Sequence, residues 1–268
     1  MIILNNYLKF ENYIFNIIKM KIINRVAKSR NILIEILGKY DWDTTNIPVL
    51  SEKEIDTIYN VPESKNSLLN TLGVAVGCNF TIPHKQLPEY KLHVLYYNFP
   101  DGDKKSTKVT KALVDKILKL YEENIFNTDD SLLILLNEEV SDTIQKISDT
   151  LNIKLKSGYE ISESIQTIIN EKSIGLNKNH FRNVFIFGVS MFQVNLLKHE
   201  LVPEHIPIRD EAGKSKILAR CNATIDQLPI ISKYDNIGKM IGLVPGDICK
   251  ITRISEKCGD YEYFRVCK

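Results

Sequence analysis

The chain has 268 residues, of which 44% are hydrophobic and 25% charged, with a formal net charge of +2. That composition is ordinary for a globular protein, and the length suffices for one large domain or two modest ones with a core that needs neither disulfides nor metal. No apolar run approaches the ~18 residues that span a bilayer, so no membrane partner is expected. Lys9, Glu11 and Lys19 interrupt the apolar first twenty residues, and no small-residue cleavage site follows, so a signal peptide is not expected either. The five cysteines (Cys78, Cys221, Cys249, Cys258 and Cys267) are odd in number and contain no C-x-x-C pair, which points to a reduced, intracellular protein. The charge is uneven. Residues 1–40 hold seven basic and two acidic side chains, a surplus of +5, whereas residues 41–194 carry −5 and residues 195–268 carry +2. A basic amino-terminal end on a near-neutral chain suits a polyanion contact on one face.

In chain order, residues 11–37 read as a helix. Ile14, Ile18, Ile22 and Val26 recur every four residues as an apolar stripe, and Lys21, Arg25 and Lys28 share a second face beside it. Gly38 and the polar stretch Asp41 to Asn46 end this helix. Ser51 with Glu54 forms a capping-box pattern and starts a short helix through Tyr59. Leu92 to Phe99, rich in β-branched and aromatic residues, reads as a strand, and Pro100-Asp101-Gly102-Asp103 as a turn. Val109, Ala112, Leu113, Ile117, Leu120 and Tyr121 have helical spacing. Leu132 to Leu136 is a short continuous apolar run, as in a strand covered on both faces. Strand, helix, strand in that order predicts a βαβ unit. Two polar-faced helices follow near 141–151 and 161–171, and Phe185 to Phe187 starts another strand.

A domain boundary is expected near Phe192, dividing residues 1–192 from residues 193–268. In the second part Pro203 and Pro207 exclude a regular helix. Lys214 to Asn222 reads as a helix, and a second starts at Tyr234 or Asp235 and ends at Gly242. Asp247 to Ile254 and Tyr261 to Cys267 read as strands joined by a turn around Lys257-Cys258-Gly259-Asp260. Tyr261, Tyr263 and Arg265 then share one face, Phe264 and Val266 the other. The fold class is α+β with α/β character: a mixed sheet flanked by helices, followed by a small α+β domain.

No cluster of residues makes a convincing catalytic site. His199 and His205 have no carboxylate or cysteine partner at ligand spacing, so a structural role is favoured over metal binding. Cys249, Cys258 and Cys267 lack the paired ligands of a zinc site. Gly213-Lys214-Ser215 imitates the end of a phosphate-binding loop, but the earlier glycine would fall at Ile208 and no buried strand precedes it, so a helix start is the natural reading. Pro100-Asp101 with Asp103-Lys104-Lys105 imitates a nuclease motif compressed into one turn. A metal-dependent nuclease using the amino-terminal domain is therefore the alternative reading, and a solvated turn the favoured one. Tyr261, Tyr263, Arg253 and Arg265 could present aromatics and cations to nucleic acid, but fit a core and a protein interface better. The face of Lys21, Arg25 and Lys28 is either solvated or a phosphate contact, sequence-independent and salt-sensitive.

Several motifs stand in order from His199 to Val266. They are His199-Glu200-Leu201-Val202-Pro203-Glu204-His205, Gln227-Leu228-Pro229, Asp235-Asn236-Ile237-Gly238, Gly242-Leu243-Val244-Pro245-Gly246-Asp247, and Arg253-Ile254-Ser255-Glu256 with Tyr261 to Arg265. In order and spacing they resemble the assembly domain of the fifth subunit shared by eukaryotic nuclear RNA polymerases, which constitutes the archaeal H subunit. More weakly, the helix around Lys19 to Arg30 and the strands Leu92 to Phe99 and Ser131 to Asn137 resemble the family's amino-terminal jaw, whose fold is like a truncated type II endonuclease. The amino-terminal part is longer than a cellular jaw, with added sequence between 138 and 182. The resemblance implies a non-catalytic subunit of a multisubunit DNA-directed RNA polymerase. The partners implied are the largest subunit, other polymerase subunits and downstream duplex DNA; no cofactor, metal or small-molecule substrate is implied. It makes His199, Glu200, Leu201, Val202, Pro203, His205, Gln227, Leu228, Pro229, Arg253, Tyr261 and Arg265 candidates for the subunit interface, and Lys21, Arg25 and Lys28 candidates for DNA contact. The compartment would be the nucleus for a cellular protein, and the host cytoplasm or virion for one encoded by a large DNA virus.

Overall fold

Leu132 to Leu136 leave no polar face to turn to water, so the strand that contains them must be covered on both sides. A computed structural model, which describes residues 2–62, 68–101, 108–255 and 259–268, shows how. Four strands form a first sheet in sequence order: β1 (Phe80–Pro83), β2 (Lys91–Tyr97), β3 (Ser131–Leu136) and β4 (Val184–Gly188). The β1 pairing with β2 is antiparallel, and β2, β3 and β4 run parallel. All six residues of β3 are buried. The pleat sorts them between two cores. Leu92, Val94, Tyr96, Leu133, Leu135 and Phe187 face a helix α1 (Ile2–Lys39) and a helix α2 (Glu52–Tyr59). Leu95, Tyr97, Leu132, Ile134, Leu136, Val184 and Ile186 face α3 (Ala112–Glu122) and α4 (Asp142–Lys156). The expected βαβ unit is β2–α3–β3, and a second parallel crossover, through α4 and α5 (Glu163–Lys172), leads from β3 to β4. Residues 138–182 are therefore part of the core: Ile144, Ile147, Leu151 and Leu155 of α4 cover the sheet. Ile165 and Ile169 of α5 pack on Tyr90 and Phe181, just before the starts of β2 and β4.

The first helix is longer than its predicted span, and its buried face differs from the four-residue stripe. Ile23, Val26, Ala27, Leu33, Ile36 and Leu37 are in the core, whereas Ile22 only packs against it; Ile14 and Ile18 lie on the helix with side chains outside the described residues. Strict i+4 spacing advances about 40° per step around a 3.6-residue helix, so such a stripe drifts off any one face. Arg30 is buried too, with Nη1 donating to the Pro48 carbonyl at 2.5 Å and its guanidinium 4.6 Å from the Phe80 ring. The capping box before α2 forms as predicted, with Ser51 N donating to Glu54 Oε2 at 2.7 Å.

The second sheet has the order β5 (Glu204–Ile208), β7 (Ile248–Ser255), β8 (Gly259–Cys267), β6 (Ile230–Ile231). The predicted hairpin is β7–β8. Strand β5 was not predicted; it is an edge strand containing Pro207, where proline's missing N–H leaves no gap in the ladder. One face packs Ile248, Phe264 and Val266 against Ile217 and Leu218 of α6 (Glu211–Cys221). The other packs Cys249, Ile251 and Cys267 against Ile241 and Leu243, which follow the short helix α7 (Asn236–Met240). The expected boundary near Phe192 falls between the two sheets.

These two halves meet along a seam that is partly apolar and partly ionic. Met240 of α7 is buried in the core under α1, with Leu196, Leu197 and Ile237 packed around it. Beside it, the carboxylate of Asp247 is 1% exposed. Its Oδ1 accepts from His180 Nε2 at 3.0 Å, its Oδ2 accepts from Val244 N at 3.1 Å, and Arg209 Nε lies 3.8 Å from Oδ2. Arg209 also forms an ion pair with Asp41, next to the end of α1, and its Nη2 donates to the Ile241 carbonyl at 3.0 Å. Asn177 N donates to His180 Nδ1 at 3.0 Å, so the imidazole presents its proton at Nε2, toward Asp247. Asp41, His180 and Arg209 line a small cavity together with His84, whose ring is 5.6 Å from Trp42 and 5.8 Å from Tyr90.

Two outcomes test this arrangement. Truncating one member of a buried ionic network costs about 3–5 kcal/mol, because the partners keep their charge without compensation. Asp247→Ala therefore lowers unfolding stability by roughly that amount in urea titration, and a loss below about 1 kcal/mol would show that the seam does not hold the halves together. Burial holds the His84 imidazole down to about 4. The unfolded chain takes up this proton near pH 6.5, whereas the folded chain refuses it until about pH 4, so stability falls as pH drops through that window. The contribution between pH 7 and pH 5 is about 2 kcal/mol. His84→Asn should flatten the pH dependence by that amount relative to wild type.

Candidate docking surface

The candidate interface residues fall on two parts of the second sheet's surface. His199 to Pro203 form the turn that leads into β5. Val202 N donates to the His199 carbonyl at 2.9 Å, Leu201 N donates to His199 Nδ1 at 3.1 Å, and His205 Nδ1 donates to the Pro203 carbonyl at 2.7 Å. Both histidines thus shape the turn. Three contacts fasten this segment to the end of α1: Lys198 pairs with Glu35, Lys39 Nζ lies 3.7 Å from Glu204, and Tyr40 Oη donates to the His205 carbonyl at 3.3 Å. The Lys198 ammonium holds the Glu35 carboxyl below its usual range. The result is a pinned loop that pushes Leu201 into solvent at 82% exposure, with His199 and Glu200 also exposed and Val202 and Pro203 half-buried.

The second group gathers around Tyr263. The guanidinium of Arg253 lies 5.2 Å from the Tyr263 ring and that of Arg265 5.1 Å from it. Arg253 stands directly opposite Tyr261 across the hairpin. Arg265 Nη1 also donates to the Ile230 carbonyl at 2.9 Å, tying β8 to the 227–230 segment. There Thr224 N donates to Gln227 Oε1 at 2.8 Å, a reciprocal cap that fixes the turn. Gln227, Pro229 and Ile230 are exposed, Ile230 at 55% and Tyr261 at 39%. Leu228, expected at the interface, points the other way. At 6% exposure it belongs to the core with Ile248, Phe264 and Val266, and its role is to hold Gln227 and Pro229 outward. Ile230 was missed as a surface residue, and the alternation of exposed Gln227 and Pro229 around buried Leu228 was the sequence signal available. Tyr263, grouped from the sequence with Tyr261, Arg253 and Arg265, is half-buried and packs against the core cluster of Ile251 and Cys267.

On α1, Lys21 and Lys28 are exposed, whereas Arg25 is half-buried, with Nη1 donating to Asn137 Oδ1 at 3.3 Å and its carbonyl accepting from Gln193 Nε2 at 3.0 Å. The three do not form one uniform solvent face.

The motifs read as imitations have ordinary structural partners. Gly213 and Lys214 lie inside α6, whose N-cap Asp210 accepts from Gly213 N at 2.6 Å, and Lys214 Nζ is 3.1 Å from Glu211. Cys249 and Cys267 are buried in one apolar cluster, and burial pushes both thiols up to about 12; Cys258 lies outside the described residues, as do Asp103, Lys104 and Lys105. Among the described residues no group of three or more His, Cys, Asp and Glu side chains could hold a metal ion. One carboxylate–imidazole–hydroxyl chain does occur. His93 Nε2 donates to Asp130 Oδ2 at 2.8 Å, and Thr81 Oγ1 stands 2.8 Å from His93 Nδ1. Thr81 and His93 are direct cross-strand neighbours and the ring lies 4.2 Å from Phe126, so the chain staples β1, β2 and the start of β3. No helix among the described residues is long and apolar enough to cross a membrane.

Residues 194–267, which contain both parts of this surface, match the family described as RNA polymerase Rpb5, C-terminal domain. The DNA-directed RNA polymerase subunit Rpo5 of Methanosarcina barkeri is 42% identical over 76 residues, which are 28% of this chain and 96% of that one. Rpo5 of Pyrococcus abyssi is 43% identical over 74 residues, 28% of this chain and 89% of the relative. The DNA-directed RNA polymerases I, II, and III subunit RPABC1 of Caenorhabditis elegans is 41% identical over 73 residues, 27% of this chain and 34% of the relative. On a match that spans nearly the whole of an archaeal relative, the chain belongs to the Rpb5 family of RNA polymerase subunits, with the shared sequence in its carboxy-terminal part.

Proposed function

We propose that the chain is a non-catalytic subunit of a multisubunit DNA-directed RNA polymerase. It docks on the largest subunit through residues 193–268 and lines the downstream DNA cleft with residues 1–192, a jaw whose kinship to truncated endonucleases is one of fold alone. One observation carries the reading: the carboxy-terminal part matches 96% of the length of an archaeal polymerase subunit. What this chain adds to a subunit of that kind is its amino-terminal half, with the basic helix α1. Nucleotidyl transfer then belongs to the large subunits, and this chain contributes attachment and charge.

For docking, the supporting features are apolar and aromatic side chains left in water by the folded chain. Leu201, Ile230 and Tyr261 are large, exposed and set in turns or a hairpin that other residues hold fixed. A partner that covers them gains burial without ordering flexible loops. The guanidinium groups of Arg253 and Arg265 are held in place by the Tyr263 ring, as anchors of this kind usually are. For DNA, Lys21 and Lys28 lie about 10 Å apart along the axis of α1, about three phosphate steps of one DNA strand. Contacts of this type are sequence-independent, as a jaw that guides a moving duplex requires.

Two measurements check the two halves of this reading. Leu201→Asp combined with Tyr261→Ala leaves thermal stability unchanged, since both side chains are exposed, and lowers capture of the largest subunit by at least about tenfold. Undiminished capture by the correctly folded variant would refute docking through this face. Lys21→Gln with Lys28→Gln weakens crosslinking of the assembled polymerase to downstream duplex DNA at low salt. It also reduces the slope of log affinity against log salt by about 1.8, two phosphate contacts. An unaltered slope removes α1 from the DNA path.

A further inference from the structure

Where the two halves face each other beyond the seam, α4 and the 229–245 segment enclose a cleft of about 340 Å³. Three lysines line it: Lys156 from α4, Lys239 from α7 and Lys233 at the rim. Its lining includes one acidic residue among the described residues, Asp149, already engaged by Lys233 Nζ at 3.1 Å and Tyr234 Oη at 2.7 Å. Lys156 and Lys239 are bound differently. Lys156 Nζ donates to the Asn179 carbonyl at 2.8 Å and to Asn183 Oδ1 at 2.7 Å, both neutral acceptors. Lys239 Nζ has the Ile186 carbonyl at 3.5 Å and lies 4.6 Å from the Phe187 ring. Asp235, whose charge favours the Lys239 ammonium, has its own carboxylate accepting from Gly238 N at 2.8 Å as the cap of α7. Burial lowers both ammonium groups, Lys156 down to about 8.

Two half-buried cations in one cleft, bonded to neutral acceptors and with donor hydrogens to spare, are a costly arrangement unless an anion joins them. An ammonium has three donors; Lys156 uses two. The opposite wall is apolar, formed by Phe185, Leu243 and Val244, and the volume is that of a small-molecule pocket. We propose that this cleft binds a phosphorylated small molecule, with its phosphate group between Lys156 and Lys239 and its apolar part against Phe185, Leu243 and Val244. Because Lys156 belongs to the first half and Lys239 to the second, the ligand would bridge them and brace their orientation. The proposal does not rest on the polymerase reading, since it concerns the isolated chain.

Pyridoxal 5′-phosphate is the probe: its phosphate seats on a cationic site, and its aldehyde condenses with a neighbouring amine, releasing water, to an imine that borohydride then traps. With the full-length chain at pH 7.5, peptide mapping should find Lys156 or Lys239 labelled at least tenfold faster than the exposed lysines. Inorganic phosphate at constant ionic strength should suppress that labelling. Adenosine monophosphate at matched phosphate concentration separates a nucleotide-sized occupant, which protects at lower concentration, from the free anion, which protects equally. Lys239→Met, which removes one long hydrogen bond and the ammonium's contact with the Phe187 ring and whose folding is checked by circular dichroism, should abolish the protection of Lys156. Labelling spread evenly over exposed lysines, or labelling of Lys156 that phosphate does not slow, overturns the proposal.

Discussion

The carboxylate of Asp247 fixes how the two sheets stand against each other. It follows a tight turn, accepts from the Val244 amide and faces His180 from the first half and Arg209 from the second. In so dry a place a carboxylate is stable only if its partners are exact in position, because the desolvation cost of the charge is several kcal/mol. Apolar contacts such as those of Met240 are tolerant of sliding and would allow a range of orientations. Hydrogen bonds to Asp247 are not, since they weaken steeply with distance and angle. Arg209 extends the constraint by reaching Asp41 and the carbonyls after α7. Gly242, at φ +69°, lets the chain leave α7 so that those carbonyls point at the guanidinium.

That constraint decides what the candidate docking surface can be. On one face of the β7–β8 hairpin, Cys249 and Ile251 are core residues against the seam, and Arg253, two residues on, is exposed. The face changes from packing to presentation within one pleat repeat, so the exposed end inherits the rigidity of the buried end. The turn at Leu201 is fixed in the same way from the other side, by Glu35, Lys39 and Tyr40 at the end of α1. Force applied to the exposed residues of the second half is therefore delivered directly to the long helix of the first, which is the coupling a subunit needs if one half anchors and the other guides.

The elements legible in the sequence are those whose pattern is local. The continuous run of β3 could only be a strand covered twice, the hairpin announced itself by alternation, and Ser51 with Glu54 marked a helix start that the backbone confirms. What was not legible depends on partners distant in sequence. Strand β5 was hidden because Pro203 and Pro207, just before it and within it, were read only as helix breakers, although an edge strand accepts a proline. The facing of α1 was misjudged by one residue at Ile22 because side-chain periodicity alone does not say where the core lies. Leu228 carried the motif's apolar character, and only the packing reveals that it turns inward while Gln227 and Pro229 turn out. Asp41, His180, Arg209 and Asp247 are unremarkable polar residues in sequence; their juxtaposition follows from the topology.

The amino-terminal part depends on residues 138–182, the stretch expected from the sequence to be an addition. Residues 138–182 could have been a surface excursion, removable without loss. Yet Ile147, Leu151 and Leu155 of α4 close the second core over Leu132, Ile134 and Leu136, which without them would face water. The same helix uses its remaining face at the junction, where Asp149 binds Lys233 and Tyr234 of the second half. After α5, the segment ends in His180, the first-half partner of Asp247. A segment that completes one core, lines the cleft and supplies the imidazole of the seam is what makes the two halves one body.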